Sequence, residues 1–186
     1  MKQLYPERDK VDTGIASSGT DERRDILGEA DEMLQERRLL ANIPEELRRR
    51  DQWVVWKIEQ RDGKGTKVPY IAGSVGRASA TESLTWRSFE DAVLALRTGP
   101  YAGVGFVFSS GDPYAGVDLD GCRDSETGEL EEWAVQIVRE LDGYAEASPS
   151  GTGVHVIVRG KAPNKRQGGV EAYSSERFFT MTGEVL

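Results

Sequence analysis

The sequence predicts an α+β fold, because short apolar runs typical of strands alternate along the chain with segments of helical periodicity. The run Trp53–Ile58 is apolar on both faces, as in strands at the interior of a sheet. Ser88 and Asp91 form a capping-box-like pair that opens one amphipathic helix, and Trp133–Leu141 has the pattern of a second. With 186 residues and 38% hydrophobic content, the chain can build one buried core.

The strands are expected to pair with their neighbours in sequence. Thr66–Ile71 follows the Trp53–Ile58 strand, and we place it at a sheet edge because Pro69 cannot donate to a ladder. A short Gly/Pro turn separates Gly103–Phe108 from Tyr114–Asp120, which predicts an antiparallel hairpin. The remaining predicted strands are Val154–Val158, Val170–Tyr173 and Arg177–Met181.

The chain is expected to divide into two parts. Residues 1–41 read as a polar tail and an amphipathic helix that Thr20 caps, and residues 42–186 as the folded domain. Ile26, Leu27, Ala30, Met33 and Leu34 recur at the spacing expected of the apolar face of such a helix. The helix is interpreted as an arm packed on the domain, with partner binding as the alternative.

Charge and cysteine content exclude several classes of protein. The net charge of −8 argues against unspecific binding of polyanions, although residues 57–77 and 156–170 are locally basic. The single Cys122 excludes an internal disulfide and fits a reducing compartment, so we expect a cytoplasmic protein. No apolar run approaches the roughly 18 residues of a membrane span, and no membrane partner is expected.

Two aspartates end the Tyr114–Leu119 strand. Asp118 and Asp120 are two residues apart, so both carboxylates leave the same face while Val117 and Leu119 pack behind them. Like charges about 5 Å apart repel by roughly 3 kcal/mol at an effective dielectric near 20, and a divalent cation relieves that repulsion. The alternative is a solvated turn with two unrelated acids.

Two further segments add to this pair. Ser148, Ser150, Gly151 and Gly153 form a loop of hydroxyls and glycines suited to an anion, and His155 follows two residues later. His155 could position a nucleotide or be an ordinary core residue. Glu171 lies on the next strand among small and apolar residues. Three acids beside a phosphate-sized loop are typical of two-metal phosphoryl transfer.

These motifs resemble the archaeo-eukaryotic primase superfamily, in the primase–polymerase branch carried by phages, plasmids and integrated elements. The resemblance spans roughly residues 43–183, and the order of its pieces is more specific than any one of them. It rests on Ile43–Leu47, Gln52–Trp56, Lys67–Tyr70, Thr85–Phe89, Gly103–Phe108, Val117–Asp120, Ser148–His155, Val170–Tyr173 and Arg177–Gly183.

The resemblance implies a two-layer α/β primase–polymerase core whose mixed or antiparallel sheet, related to the RNA-recognition motif, carries the acids. Asp118 and Asp120 match the first metal motif, Ser150 to His155 the nucleotide motif, and Glu171 the third motif. Arg177 falls near the expected triphosphate. The implied activity is template-directed nucleotidyl transfer with two Mg²⁺ or Mn²⁺ ions, nucleoside triphosphates and a single-stranded DNA template.

The resemblance also suggests a helicase domain or subunit as a partner. The family's catalytic domain ordinarily continues past the third motif, so a domain shortened at its C-terminus is expected. DNA is expected along the basic residues Lys67, Lys161, Lys165 and Arg166, although Lys67 could equally be a solvated surface lysine.

Two other functions stay open at this point. One is a non-catalytic binding remnant of such a primase, and the other is an enzyme that uses Asp-x-Asp to hold a metal–nucleotide sugar.

Overall fold

A computed structural model describes residues 30, 31 and 33–186, so most of the helix predicted to start at Thr20 lies outside the described residues. Contacts divide the chain into a unit that ends at Met33 and a compact unit, Leu34–Leu186. The helices are α1 (33–42), α2 (Glu45–Arg48), α3 (Phe89–Thr98) and α4 (Glu132–Leu141), with a 3₁₀ turn at Ser83–Thr85. The strands are β1 (Trp53–Arg61), β2 (Lys64–Tyr70), β3 (Gly103–Phe108), β4 (Tyr114–Leu119), β5 (Tyr144–Ala147), β6 (Val154–Arg159), β7 (Lys165–Gln167), β8 (Val170–Tyr173) and β9 (Arg177–Met181).

The strands form two antiparallel sheets, and the predicted α+β class is confirmed. The four-stranded sheet has the order β2-β1-β3-β9, and the five-stranded sheet has the order β5-β6-β4-β8-β7. As predicted, β1 is internal and β2, which contains Pro69, lies at an edge. Ser88 caps α3 by accepting a hydrogen bond from the backbone N–H of Asp91 at 3.1 Å.

The predicted hairpin between β3 and β4 is wrong, because the two strands belong to different sheets. Both edges of β3 are occupied by β1 and β9, and both edges of β4 by β6 and β8. The buried Asp112 turns the chain between the sheets: its carboxylate accepts hydrogen bonds from the backbone N–H groups of Ser109 and Tyr114 at 2.8 and 2.7 Å. The Gln52 amide, directly before β1, also donates to it at 2.7 Å, which fixes this corner.

The basic segment between β6 and β8, where the sequence predicts no strand, contains one. Lys165, Arg166 and Gln167 form the short edge strand β7, which pairs with β8. The glycines that follow Gln167 allow the tight reversal, since Gly168 adopts a positive φ of 62°.

The two faces of the five-stranded sheet have different environments. Val117 and Leu119 of β4 pack with Ala134 of α4, as the alternation of the strand predicts. The opposite face meets the four-stranded sheet, where Phe106, Phe108 and Phe179 build the larger core together with α1 and α3. Leu39 of α1 is buried in this core, although it precedes residue 42, where the folded domain was expected to begin.

Gly116 shows how closely the two sheets approach on this inner face. A Cβ atom at this position would lie 2.5 Å from the Phe108 ring and 2.6 Å from the Phe179 ring. Asp118 therefore leaves β4 on the face that looks toward β9.

Within the described residues, no helix has both the length and the apolarity needed to cross a bilayer.

Candidate active site

One row of ionisable side chains crosses the inner face of the five-stranded sheet. The register pairs Glu146 of β5 with His155 of β6, and His155 with Asp118 of β4. It continues from Asp118 to Glu171 of β8, and from Glu171 to Arg166 of β7. Because residues directly opposite one another share a face, the five strands bring together side chains that are far apart in sequence.

The middle of this row lines a cavity of about 210 Å³ between the two sheets. The five-stranded sheet contributes Asp118, His155, Glu171 and Tyr173, and the four-stranded sheet contributes its two edge strands. The residues from those edge strands are Lys67, Arg177, Phe178, Phe179 and Thr180.

Asp118 carries unbalanced negative charge in this cavity. The pKa of its carboxyl is raised to about 6, mainly by burial and additionally by the nearby carboxylates of Asp120 and Glu171. The cations of Lys67 and Arg166 act in the opposite direction. A carboxylate held among other acids is a common feature of functional sites.

His155 is buried and its imidazole is held on two sides. Its Nδ1 lies 3.0 Å from the carbonyl oxygen of Thr180, and its ring stacks on Phe179 with 4.7 Å between centroids. Burial lowers the pKa of His155 to about 4, so the imidazole is neutral. Since a carbonyl can only accept, Nδ1 carries the proton and Nε2 faces the Asp118 carboxylate at 3.7 Å with a free lone pair.

Glu171 is engaged at both oxygens. Arg166 Nε lies 2.6 Å from Oε1, and the Tyr173 hydroxyl donates to Oε2. The Arg177 guanidinium lies over the Tyr173 ring, 4.8 Å from its centroid. Glu171 thus shares the sheet face with Asp118 while being paired to a cation.

The acids suit a hard divalent cation, although the described residues contain no group of three His, Cys, Asp or Glu side chains placed to hold one as they stand. Carboxylate oxygens are the ligands that Mg²⁺ and Mn²⁺ prefer. Burial and the neighbouring acids, which together raise the pKa of Asp118, disfavour its charged form, and a bound ion would offset this. Glu171 would have to release Arg166 to join a metal site.

The Ser148–Gly153 loop borders the acids but does not line the cavity among the described residues. A Cβ at Gly153 would lie 3.7 Å from the Cα of Asp120. The N–H of Gly151 donates to the Ser148 carbonyl and that of Gly153 to the Ser148 hydroxyl. The loop therefore offers a chain of hydroxyls, from Ser148 through Ser150 to Thr152, with oxygens 3.0 and 2.9 Å apart.

The four basic residues predicted to bind DNA have different surroundings. Lys67 reaches the cavity with its ammonium 5.6 Å from the centre of the Trp56 ring. Burial lowers the pKa of Lys67, while the carboxylates of Asp118 and Asp120 act in the opposite direction. Lys161 lies outside the cavity lining and donates to backbone carbonyls of the Ser109–Asp112 turn. Arg166 pairs with Glu171, and Lys165 is exposed on β7.

Sequence reasoning missed Glu146 and the hydroxyl of Tyr173 as parts of this arrangement. Glu146 is an acid in a short run of alanines, Tyr144–Ala147, directly before the Ser148 loop. That position is the one signal that could have placed it beside His155, because a strand entering the loop pairs with the strand leaving it.

This chain is 39% identical over 158 residues to a DNA primase-polymerase of Nitratiruptor phage NrS-1. The aligned part covers 80% of this chain and 21% of the relative, so the chain spans about a fifth of that protein's length. No family model matches the chain. The similarity confirms the resemblance to primase–polymerases that the motifs predict.

Proposed function

We propose that this chain, as a relative of a phage DNA primase-polymerase, carries a nucleotidyl-transfer site that starts or extends a DNA primer on a single-stranded template. The observation that supports this most strongly is the direct pairing of Asp118 with both His155 and Glu171 on one sheet face. The phosphoryl-transfer chemistry of polymerases relies on positioning and charge stabilisation, for which such a cluster is suited.

In this proposal Asp118, Asp120 and Glu171 hold two Mg²⁺ or Mn²⁺ ions. Bound ions of this kind stabilise the charge on the attacking and leaving oxygens of an in-line displacement. The chain's own contribution is to fix the carboxylates on adjacent strands and to release Glu171 from Arg166. Val117 and Leu119, buried on the opposite face of β4, keep the direction of Asp118 fixed.

The nucleoside triphosphate is proposed to enter the cavity beside the acids. Lys67 and Arg177 supply positive charge from the edges of the opposite sheet, and His155 forms the buried wall between them. The Ser148–Gly153 loop adds hydroxyl donors next to Asp120. Because its glycine N–H groups are bonded within the loop, hydroxyls rather than backbone amides would contact a phosphate there.

The template is proposed to pass the β7–β8 edge of the larger sheet. Lys165 is exposed there, next to Arg166, which becomes free for a DNA phosphate once Glu171 changes partner. The net charge of −8 means that affinity for DNA must come from such local contacts. A helicase domain or subunit is a further proposed partner.

The test is an extension assay with primed and unprimed single-stranded DNA, nucleoside triphosphates and either Mg²⁺ or Mn²⁺. We expect product from the parent chain and none from Asp120→Asn. Asp124→Asn is the matched control, because this substitution removes the same charge from an exposed turn of the same acidic segment. Equal product from Asp120→Asn and the parent would refute the assignment.

The same preparation separates the other functions. Nucleotide binding without product, in the presence of either metal, would favour a non-catalytic binding remnant. Transfer or hydrolysis of a sugar nucleotide would favour the enzyme class that holds a metal–nucleotide sugar through Asp-x-Asp.

A further inference from the structure

Arg123 is a largely buried cation that the proposed reaction does not use. It follows Asp120 by three residues, and its side chain is only 12% exposed. Its Nη1 donates to the Gly151 carbonyl at 2.8 Å, and its Nη2 donates to the Glu184 carboxylate at 3.1 Å. Its Nε is buried and has no hydrogen-bond partner among the described residues. Because an unpaired buried donor costs free energy, stability alone is a poor explanation for an arginine at this position.

The Gly151 carbonyl belongs to the tip of the Ser148–Gly153 loop. Gly151 lies between Ser150 and Thr152, whose hydroxyl oxygens are 2.9 Å apart. The base of the loop is fixed by β5 and β6, the strands that lead into it and out of it. Hydrogen bonds inside the loop maintain its shape, such as the one from the Gly151 N–H to the Ser148 carbonyl at 2.8 Å. These internal bonds do not determine where the tip lies relative to the acids.

Arg123 connects this tip to the segment that carries Asp120. Its backbone N–H donates to the Thr152 carbonyl at 3.0 Å, so main chain and side chain together hold two consecutive carbonyls of the loop. The Glu184 carboxylate holds the guanidinium from another side. The Glu184 carbonyl also accepts from the N–H of Ala147, directly before the loop, at 2.8 Å. A planar guanidinium, with its donors in a fixed fork, is suited to bridge two such acceptors.

We propose that Arg123 is a positioning residue, which fixes the tip of the loop beside Asp120 and so orders the hydroxyls of Ser150 and Thr152 for the phosphates of a nucleotide. The placement of the loop does not depend on the reaction, whereas the consequence for the nucleotide rests on the proposed function. Without the guanidinium, the loop keeps its internal hydrogen bonds, but its tip becomes free to move relative to the acids.

The first measurement is amide hydrogen exchange of the loop, followed by mass spectrometry. Arg123→Met keeps an unbranched stem and removes the donors of the guanidinium. Because the tip loses a charge-assisted hydrogen bond, the loop amides should exchange about tenfold faster than in the parent, while those of β6 stay unchanged. Arg38→Met is the matched control, since it removes the other guanidinium that pairs with Glu184, at 3.4 Å, and leaves the bond from Arg123 to the loop in place. Its loop should exchange at the parent rate.

The second measurement is primer extension with the concentration of the nucleoside triphosphate varied. Contacts that are equally strong in the bound substrate and in the transition state affect KM and leave kcat unchanged. Arg123→Met should therefore raise KM for the nucleoside triphosphate about tenfold and change kcat by less than about twofold, whereas Arg38→Met should match the parent. Arg123→Lys retains the charge but lacks the fork that bridges two acceptors, so it should restore only part of the affinity.

Exchange at the parent rate in the loop of a folded Arg123→Met would overturn the proposal, as would equal acceleration in Arg38→Met. If Arg123→Met does not fold, Arg123→Lys takes its place and should show the same changes in smaller amount; an unchanged loop in that variant counts equally against the proposal. A faster loop with an unchanged KM would refute the role in nucleotide binding. A faster loop in the variant of a parent that gives no product would instead refute the proposed function and leave the placement of the loop by Arg123 standing.

Discussion

Replacing Asp118 by asparagine should stabilise the metal-free protein. The carboxyl has a pKa of about 6 in the folded chain, against an ordinary value of 3.8. Between these two pH values the folded state binds more protons than the unfolded state, so the stability contributed by this group falls as the pH rises through the window. Above about pH 6 the folded protein carries the full cost of the charge, which asparagine does not have.

The size of the effect follows from the shift. About two pKa units correspond to about 3 kcal/mol, and the side chain is only 24% exposed, so solvent screening removes part of this but not most of it. We therefore expect Asp118→Asn to raise the free energy of unfolding by about 1–3 kcal/mol at pH 8 and to change it little at pH 4. Burial sets most of this value, and the charged groups that contribute to it are Asp120, Glu171, Lys67 and Arg166; the neutral His155 also faces Asp118.

The assay is urea unfolding of parent and variant at pH 4 and pH 8, in the presence of a chelator. The difference between the two proteins must be used, because the lowered pKa of His155 makes its own contribution rise with pH and masks that of Asp118 in the parent. Glu140→Gln removes one charge from the exposed face of α4 and should stay within about 0.5 kcal/mol of the parent. A variant no more stable than the parent at pH 8 would refute the reasoning.

Two further changes test the surroundings of the row. Arg166→Gln should tighten Mn²⁺ binding by about 1.4- to fivefold in calorimetry, because an ion pair to an exposed arginine, worth about 0.2–1 kcal/mol, no longer competes for Glu171; equal or weaker binding would contradict this. Gly116→Ala should lower the free energy of unfolding by about 1–3 kcal/mol, since its Cβ would meet two core rings at 2.5 and 2.6 Å. Gly160→Ala, with open space around it, should leave urea unfolding almost unchanged, and an equal loss in both alanine variants would argue against overpacking.

Local patterns were enough to predict most strands and the face from which Asp118 leaves β4. A common face for Asp118 and Asp120 stays a prediction from their spacing, because β4 ends at Leu119 and Asp120 lies in the turn that follows. Pro69 marks an edge by chemistry alone. The β3–β4 connection was mispredicted because its geometry depends on Gln52, which lies 60 residues before Asp112 and binds its carboxylate. A short turn has the same residue types whether it reverses a hairpin or crosses between sheets.

The candidate site shows the same division between local and distant information. Asp118, His155 and Glu171 could be grouped from motif order, whereas the partners that determine their chemistry come from strands distant in sequence. Lys67 faces Asp118 from the opposite sheet, and Glu146 accepts a hydrogen bond from the backbone of Thr182, which follows β9. Sequence periodicity contains no information about such contacts between sheets.

The ionisable side chains that cross the five-stranded sheet differ in how well hydrogen bonds and ion pairs compensate their charges. The least compensated of them is Asp118, at the centre of the row. At one end Glu146 accepts three hydrogen bonds, and at the other Arg166 is paired with Glu171. Asp118, between them, has an uncharged imidazole on one side and another acid on the other. A folded chain selected for stability alone would place an apolar residue or a cation there, because repulsion in a half-buried cavity is costly. Lys67 and Arg166 offset part of this negative charge, and in the proposed function a bound divalent cation offsets the rest.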